Sequence, residues 1–164
     1  MTAASPPPSD PGSRGYFAIG AERMSKSLNL GNLMRSAHAF GAAFTFTIGA
    51  TYSAQEAFAD TSRGGQHLPH YDWRNVDELV LPRGCSLVGI ELIDGAIDLP
   101  QFRHPARAAY VLGPEMGSLS PALLARCDMV VKIPTRFCVN VAIAGAIVMY
   151  DRVASRRPAP RLPG

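Results

Sequence analysis

The alternation of apolar and polar positions along the chain predicts short strands separated by helices. Residues 16–19 read as a first strand and residues 20–27 as a connecting loop. Residues 30–40 follow as a helix, because Leu33, Ala37 and Phe40 recur at spacings of four and three and share one face. Gly41 then supplies the residue type that a helix C-terminus prefers. In residues 43–48, Phe44, Phe46 and Ile48 alternate with Thr45 and Thr47, which is the period of a strand. Ser53 is positioned to cap a short helix ending near Ala59. Residues 60–83 are polar and aromatic, with one small helix expected over 76–80. Three further strands are expected at 86–91, 108–112 and 128–133, and Ser120 before Pro121 predicts a capped helix over 121–126. Strands alternating with helices imply an α/β domain with a mostly parallel sheet and helices on both faces.

The segment 128–152, DMVVKIPTRFCVNVAIAGAIVMYDR, is the most structured in pattern. A valine-rich run ends at Pro134, a turn carries Thr135, Arg136, Cys138 and Asn140, and an almost wholly apolar helix reaches Tyr150. A helix apolar all round is buried on every face or pressed against a partner. In α/β sheets, ligands sit beyond the carboxyl ends of strands, where N–H groups at helix starts are unpaired. The turn is therefore a first candidate for a small-molecule site. The plainer alternative, that Asn140 caps the helix and Pro134 ends the strand, stands beside it.

With 164 residues, 47% apolar and 18% charged, the chain has the size and composition of one globular domain. That domain is expected over 15–153, with a disordered Pro/Ser/Gly-rich segment over 1–14 and a flexible basic Pro-rich tail over 154–164. The apolar run 141–150 is too short for a membrane span, and residues 1–15 hold no apolar signal core, so a cytoplasmic location is expected. Cys85, Cys127 and Cys138 form no CxxC pair, which disfavours a disulfide scaffold or structural zinc. His67 and His70 flank Pro69 without a third ligand nearby, so a surface loop is expected there and no metal. A net charge of +3 suits an RNA partner. Much of it lies in Arg152, Arg156, Arg157 and Arg161, for which a solvated tail is an equal account.

Two more segments carry candidate chemistry. In Asn29-x-Gly31-x-x-x-Arg35, Asn29 can cap the helix and Gly31 permits close approach of a backbone or ligand. Arg35 lies about 200° round from Leu33, free to meet a phosphate, a carboxylate or another subunit. A capped helix with a surface arginine is the alternative. In LGPEMGSL, residues 112–119, a strand runs into a glycine-containing loop before a capped helix, the layout of a cofactor cradle or else of a tight turn. It matches neither GxxxxGK[ST] nor GxGxxG, so a phosphate loop or a dinucleotide-dependent oxidoreductase is not supported.

Taken together, N-x-G-x-x-x-R-x-A-x-x-F-G (29–41), L-G-P-E-x-G-x-L (112–119) and I-P-T-x-x-x-x-N-V-A-I-A (133–144) resemble, in order and spacing, the motifs of SpoU-type (TrmH-like) RNA 2′-O-ribose methyltransferases of the SPOUT superfamily. The resemblance runs over about 16–152. It implies a C-terminal trefoil knot, a path that ordinary topology rules would not suggest. It also implies S-adenosylmethionine bound in a bent shape between three loops, and a homodimer for which the apolar helix suits the interface. Asn29, Arg35, Glu115 and Asn140 match the family's catalytic positions, and Ile90, Gly113, Ile133, Cys138 and Val139 its cofactor contacts. Cys138 departs from the serine common in the family. A thiol is a weak donor, and with no histidine nearby in sequence it is expected as a small buried residue rather than a nucleophile.

The implied reaction moves a methyl group from S-adenosylmethionine to an RNA ribose 2′-hydroxyl. The sulfonium already makes the methyl carbon electrophilic, so no metal is expected. The protein must align the oxygen and help remove its proton. The resemblance offers Arg35 for this; a guanidinium is ordinarily a poor base, so Arg35 is favoured as a phosphate clamp, the alternative being a proton acceptor whose pKa its site strongly depresses. tRNA is favoured over rRNA because little precedes the first strand. A reading of another class is a non-catalytic RNA-binding dimer, favoured by Cys138 and opposed by Asn29, Arg35, Glu115 and Asn140. Tyr71, Trp73 and Arg74 offer a base-stacking surface, with packing under a loop the competing fate of Trp73.

Overall fold

Alternate residues of a strand point to opposite faces of its sheet, and here both faces are apolar. In the computed structural model, which describes residues 15–51 and 68–156, the strands are β1 (Tyr16–Glu22), β2 (Phe44–Ile48), β3 (His70–Trp73), β4 (Ser86–Ile90), β5 (Ile97–Asp98), β6 (Arg107–Leu112) and β7 (Met129–Lys132). The helices are α1 (Ser27–Phe40), α2 (Pro121–Arg126) and α3 (Val141–Ser155). The seven strands form one sheet in the order β3-β2-β1-β6-β4-β7-β5, and every pairing is parallel. Ile19, Tyr110 and Leu112 pack with Leu30 and Leu33 of α1 and Val148 of α3 on one face. Ala18, Ala109, Val111 and Phe46 pack with Leu79, Leu119 and Leu123 on the other. The expected α/β architecture is the one observed.

Gly145 sets how closely α3 approaches α1, since a Cβ on it would stand 2.3 Å from Leu33 Cδ1. The helix that reads as apolar all round buries Val141, Ala144, Val148 and Met149. It leaves a stripe of Ile143, Ile147 and Tyr150 uncovered, with Ile143 56% and Tyr150 64% exposed.

Several boundaries differ from those read in the sequence. β1 continues to Glu22, and α1 begins at Ser27 with Lys26, not Asn29, at its N-cap. The expected small helix is a 3-10 turn, Val76–Glu78, with Asn75 as its cap. β3 has no apolar alternation because its inner partners are polar on one side: His70 and Asp72 bond to the Thr45 and Thr47 hydroxyls of β2. Pro121–Arg126 starts where expected, with Ser120 Oγ accepting from Leu123 N at 3.2 Å. The expected helix at 53–59, the segment 1–14, His67 and residues 157–164 lie outside the described residues. Among the described residues, no helix is long and apolar enough to cross a membrane, and no group of His, Cys, Asp and Glu is arranged to hold a metal.

Arg152, grouped with the solvated tail in the sequence, is only 3% exposed. Its guanidinium donates to the carbonyls of Tyr16, Pro105 and Ala106 and to the Tyr110 hydroxyl, at 2.8–3.1 Å. These carbonyls precede or open β1 and β6, so one side chain satisfies the N-terminal edge of the central strands. Tyr110, accepting from Arg152, is left to donate to His104 Nδ1 at 2.6 Å, and His104 Nε2 then donates to Asp151 at 2.8 Å. That order of donors fits a neutral imidazole. Burial, opposed by Asp151 and aided by Arg152 and Arg156, holds the His104 pKa below its ordinary 6.5.

Arg152→Met is expected to cost about 3 kcal/mol in urea unfolding, because it removes the donor shared by three part-buried carbonyls and the buried Tyr110 hydroxyl. His104 gives a pH dependence of known sign. The unfolded chain takes up a proton below 6.5 and the fold does not, so stability falls as pH drops below that value. Urea midpoints taken at about pH 7.5 and about pH 5.5 should show a smaller acid loss in His104→Gln than in the wild type.

Candidate functional site

The parallel register places the C-terminal ends of β4, β6 and β7 side by side, with Ile90 opposite Leu112 on one side and Val131 on the other. A cavity of about 320 Å³ opens beyond them, within the usual range for small-molecule sites. Its wall includes Ile90, Gly113, Ile133, Cys138 and Val139, together with Asn29, Glu115 and Asn140. Three segments far apart in sequence thus meet at one place. Arg35 is not among them; it is exposed on α1 and lies outside this wall.

Glu115 joins the segments. Its Oε1 accepts from Lys26 N at 3.0 Å and Asn29 Nδ2 at 3.2 Å. Its Oε2 accepts from both the N–H and the hydroxyl of Ser25, at 3.1 Å each. Burial pushes the carboxyl pKa up, but hydrogen bonds from its own N–H, Ser25, Asn29 and Lys26 outweigh that and hold it below the ordinary value. A carboxylate has about four acceptor positions, and these four donors occupy them. The group is therefore suited to bracing, not to carrying a proton.

Asn29 extends the brace. Its Oδ1 accepts from Asn140 Nδ2 at 3.1 Å, and Asn140 Oδ1 in turn accepts from Ala142 N and Ile143 N at 2.9 and 3.3 Å. Asn140 is thus the N-cap of α3, as its sequence position suggested. Asn29 is not a cap: its amide is spent between Glu115 and Asn140, inside the first turn of α1.

The loop after β6 is held by three side chains that the sequence reading passed over. Glu91 Oε2 accepts from Leu119 N at 2.8 Å, Glu22 accepts from the N–H and hydroxyl of Ser120, and Arg23 donates to Ser118 O at 2.7 Å. Glu22 is 2% exposed. A signal was present: Glu22 and Glu91 each close an apolar strand run, FAIGAE and LVGIE, at its carboxyl end.

Cys138 corrects an expectation. It is exposed and lines the cavity, because it stands in the turn before α3 instead of beneath that helix. The other thiols are quiet, with burial pushing Cys127 up to about 11 and raising Cys85. Tyr71 and Trp73 stack at 6.0 Å with planes 13° apart, and Trp73 packs on Phe46. Tyr71 remains half exposed. They lie on edge strand β3, across β2 and β1 from the cavity, and Arg74 is paired with Glu78.

Comparison with known proteins places this geometry. The family described as the SpoU rRNA Methylase family matches residues 16–150. The mouse (Mus musculus) protein tRNA (guanosine(18)-2'-O)-methyltransferase TARBP1 is 27% identical over 140 residues, covering 80% of this chain and 9% of that protein. An rRNA methyltransferase structure from Sinorhizobium meliloti aligns with a TM-score of 0.80 at 20% identity, over 88% of this chain and 58% of that one. The SpoU methyltransferase AviRb from Streptomyces viridochromogenes, in complex with the cofactor AdoMet, aligns with a TM-score of 0.77 at 23% identity, over 87% of this chain and 61% of that one. This chain therefore spans less than two thirds of each of these proteins. The family match runs from β1 into α3 and takes in all three segments of the cavity wall, and the chain belongs to the SpoU rRNA Methylase family.

Proposed function

We propose that this protein transfers a methyl group from S-adenosylmethionine to a ribose 2′-hydroxyl of RNA, with tRNA as the substrate class. The observation that carries the proposal is the single cavity walled by the three motif segments and braced through Glu115, Asn29 and Asn140. The mouse relative's name supports tRNA and the ribose oxygen, and the cofactor-bound AviRb structure supports S-adenosylmethionine. The family's C-terminal trefoil knot belongs to the same proposal.

The wall suits that cofactor in kind. Ile90, Ile133 and Val139 offer apolar contact for a base, and the Gly113 loop offers bare backbone. A Cβ on Gly113 would stand 3.2 Å from Leu119 N, a tight contact that the loop would have to shift by a few tenths of an ångström to accept. When bound, the cofactor supplies a methyl carbon activated by the positive sulfur beside it. The protein's part is placement: Asn29 and Asn140 fix the wall at the start of both helices, and Thr135 and Cys138 border the opening.

A second copy of the chain is part of the proposal, and the exposed Arg35 is assigned to that copy's cavity. In α1 it follows Leu28 by seven residues, about 20° round the helix, so the two share one outer face. Leu28 is 55% exposed, and the uncovered Ile143, Ile147 and Tyr150 stripe lies on α3, which packs beside α1 through Gly145 and Leu33. An apolar surface across two packed helices is what a homodimer interface needs. In such a dimer Arg35 serves the partner's cavity, where its fork clamps an RNA phosphate.

Incubation with methyl-labelled S-adenosylmethionine should label bulk tRNA, with the labelled linkage resistant to alkaline cleavage. Arg35→Lys keeps the charge and loses the fork, and is expected to lower kcat/KM by about tenfold; full activity would remove Arg35 from any specific role. RNA binding without any transfer would favour the non-catalytic dimer, the reading that the exposed Cys138 keeps in view. Ile147→Glu should convert a dimer into a monomer by light scattering and abolish transfer with it. A monomeric wild type would remove the dimer from the proposal.

A further inference from the structure

Residues 113–117 of the loop after β6 line the cavity, so the shape of that wall depends on what holds the loop's ends. Glu115 ties the near part to the start of α1. Arg23, Glu91 and Glu22 hold the far end at Ser118, Leu119 and Ser120. Of these last three, only Glu91 also lines the cavity.

Glu91 follows β4 directly, and its two oxygens are oriented by backbone. Oε1 accepts from Leu92 N at 3.1 Å, and Oε2 accepts from Leu119 N at 2.8 Å. Between Glu91 and Leu119 lies Gly113. A Cβ there would stand 3.5 Å from Glu91 Oε2, an ordinary contact, and 3.2 Å from Leu119 N, a tight one. Gly113 thus lies beside this bond, and its lack of a side chain relieves the tight approach to Leu119 N. The bond is charge-assisted and about half-buried, stronger than a neutral pair.

We propose that Glu91 is a positioning residue for the cofactor: by holding Leu119 N–H it sets the backbone of residues 113–117 in the shape that receives S-adenosylmethionine. The inference rests on the methyltransferase function proposed above. A residue that merely supported the fold would show itself in global stability. One that shapes this loop shows itself in cofactor affinity and in one local amide.

The test uses the full chain with S-adenosylmethionine in calorimetry, and amide hydrogen exchange read at Leu119. In Glu91→Ala the Leu119 amide should exchange about tenfold faster or more, while Val88 and Val111 in the sheet keep their protection. The Kd for S-adenosylmethionine should rise about tenfold, and KM for it should rise with kcat changing less. Glu91→Gln keeps an oxygen that can accept from Leu119 N, so it should recover affinity to within about threefold of wild type. If the Ala variant does not fold, the Gln variant carries the test through its weaker, neutral bond: a Leu119 exchange rate and a Kd both unchanged from wild type then overturn the proposal. Wild-type affinity in Glu91→Ala, or no recovery in Glu91→Gln, overturns the proposal while leaving the methyltransferase function standing. A wild-type chain that takes up no S-adenosylmethionine overturns both, and the Leu119 exchange rates would still report whether Glu91 holds the loop.

Discussion

One carboxylate holds the site together. Helix starts leave N–H groups without partners, and the usual remedy is a cap side chain in the adjacent residue. Lys26 stands at that position of α1 and its side chain makes no cap bond. Glu115 does the work from 89 residues further along, accepting from Lys26 N and from Ser25 and Asn29 besides. Its negative charge also suits the positive end of the helix. Because the acceptor comes from the loop after β6, the start of α1 and the wall of the cavity are a single arrangement. Asn29 and Asn140 carry it on to the start of α3.

The two ends of the sheet solve opposite problems. Beyond the carboxyl ends of the strands, loops and helix starts present unpaired N–H groups, and carboxylates answer them: Glu22, Glu91 and Glu115 each accept from backbone. At the opposite end the unpaired groups are carbonyls, and Arg152 answers them with its buried guanidinium. An acceptor cluster thus frames the ligand end and a donor frames the other. The residues that stabilise the N-terminal end of β1 and β6 are therefore distinct from those that shape the cavity. Charge that looks like surface decoration in composition is, at these positions, matched to individual backbone N–H and C=O groups at the two ends of the sheet.

The sheet's apolar faces and the packing of α3 on α1 account for the remaining surface. Gly145 lets the helices come close; α3 buries Val148 and Met149 and leaves Ile143, Ile147 and Tyr150 exposed, and α1 leaves Leu28 exposed. Arg35 shares that outer face of α1. Its absence from the cavity wall is a consequence of helix geometry, since the stripe that packs on the sheet is occupied by Leu30, Leu33, Met34 and Ala37.

Local pattern is enough to locate the strands at β2, β4, β6 and β7 and to place α2, because β2 alternates, the other three are short apolar runs and α2 has a cap of its own. Motif order singles out Asn29, Gly113, Glu115, Cys138 and Asn140, which the fold brings to one cavity wall, and Arg35, which it does not. β3 escaped because threonine hydroxyls on β2 satisfy His70 and Asp72, a pairing that leaves no apolar period to read. Asn29 looked like a cap because its true partners, Glu115 and Asn140, are 86 and 111 residues away. Arg152 looked like tail because only the fold brings the carbonyls of Tyr16, Pro105 and Ala106 around it. Local pattern fixes what a segment can become, since side-chain period and cap chemistry act over a few residues. Which polar group satisfies which, and hence the roles of Glu22, Glu91 and Arg152, was decided only by tertiary structure, because those partners become neighbours once the strands have paired.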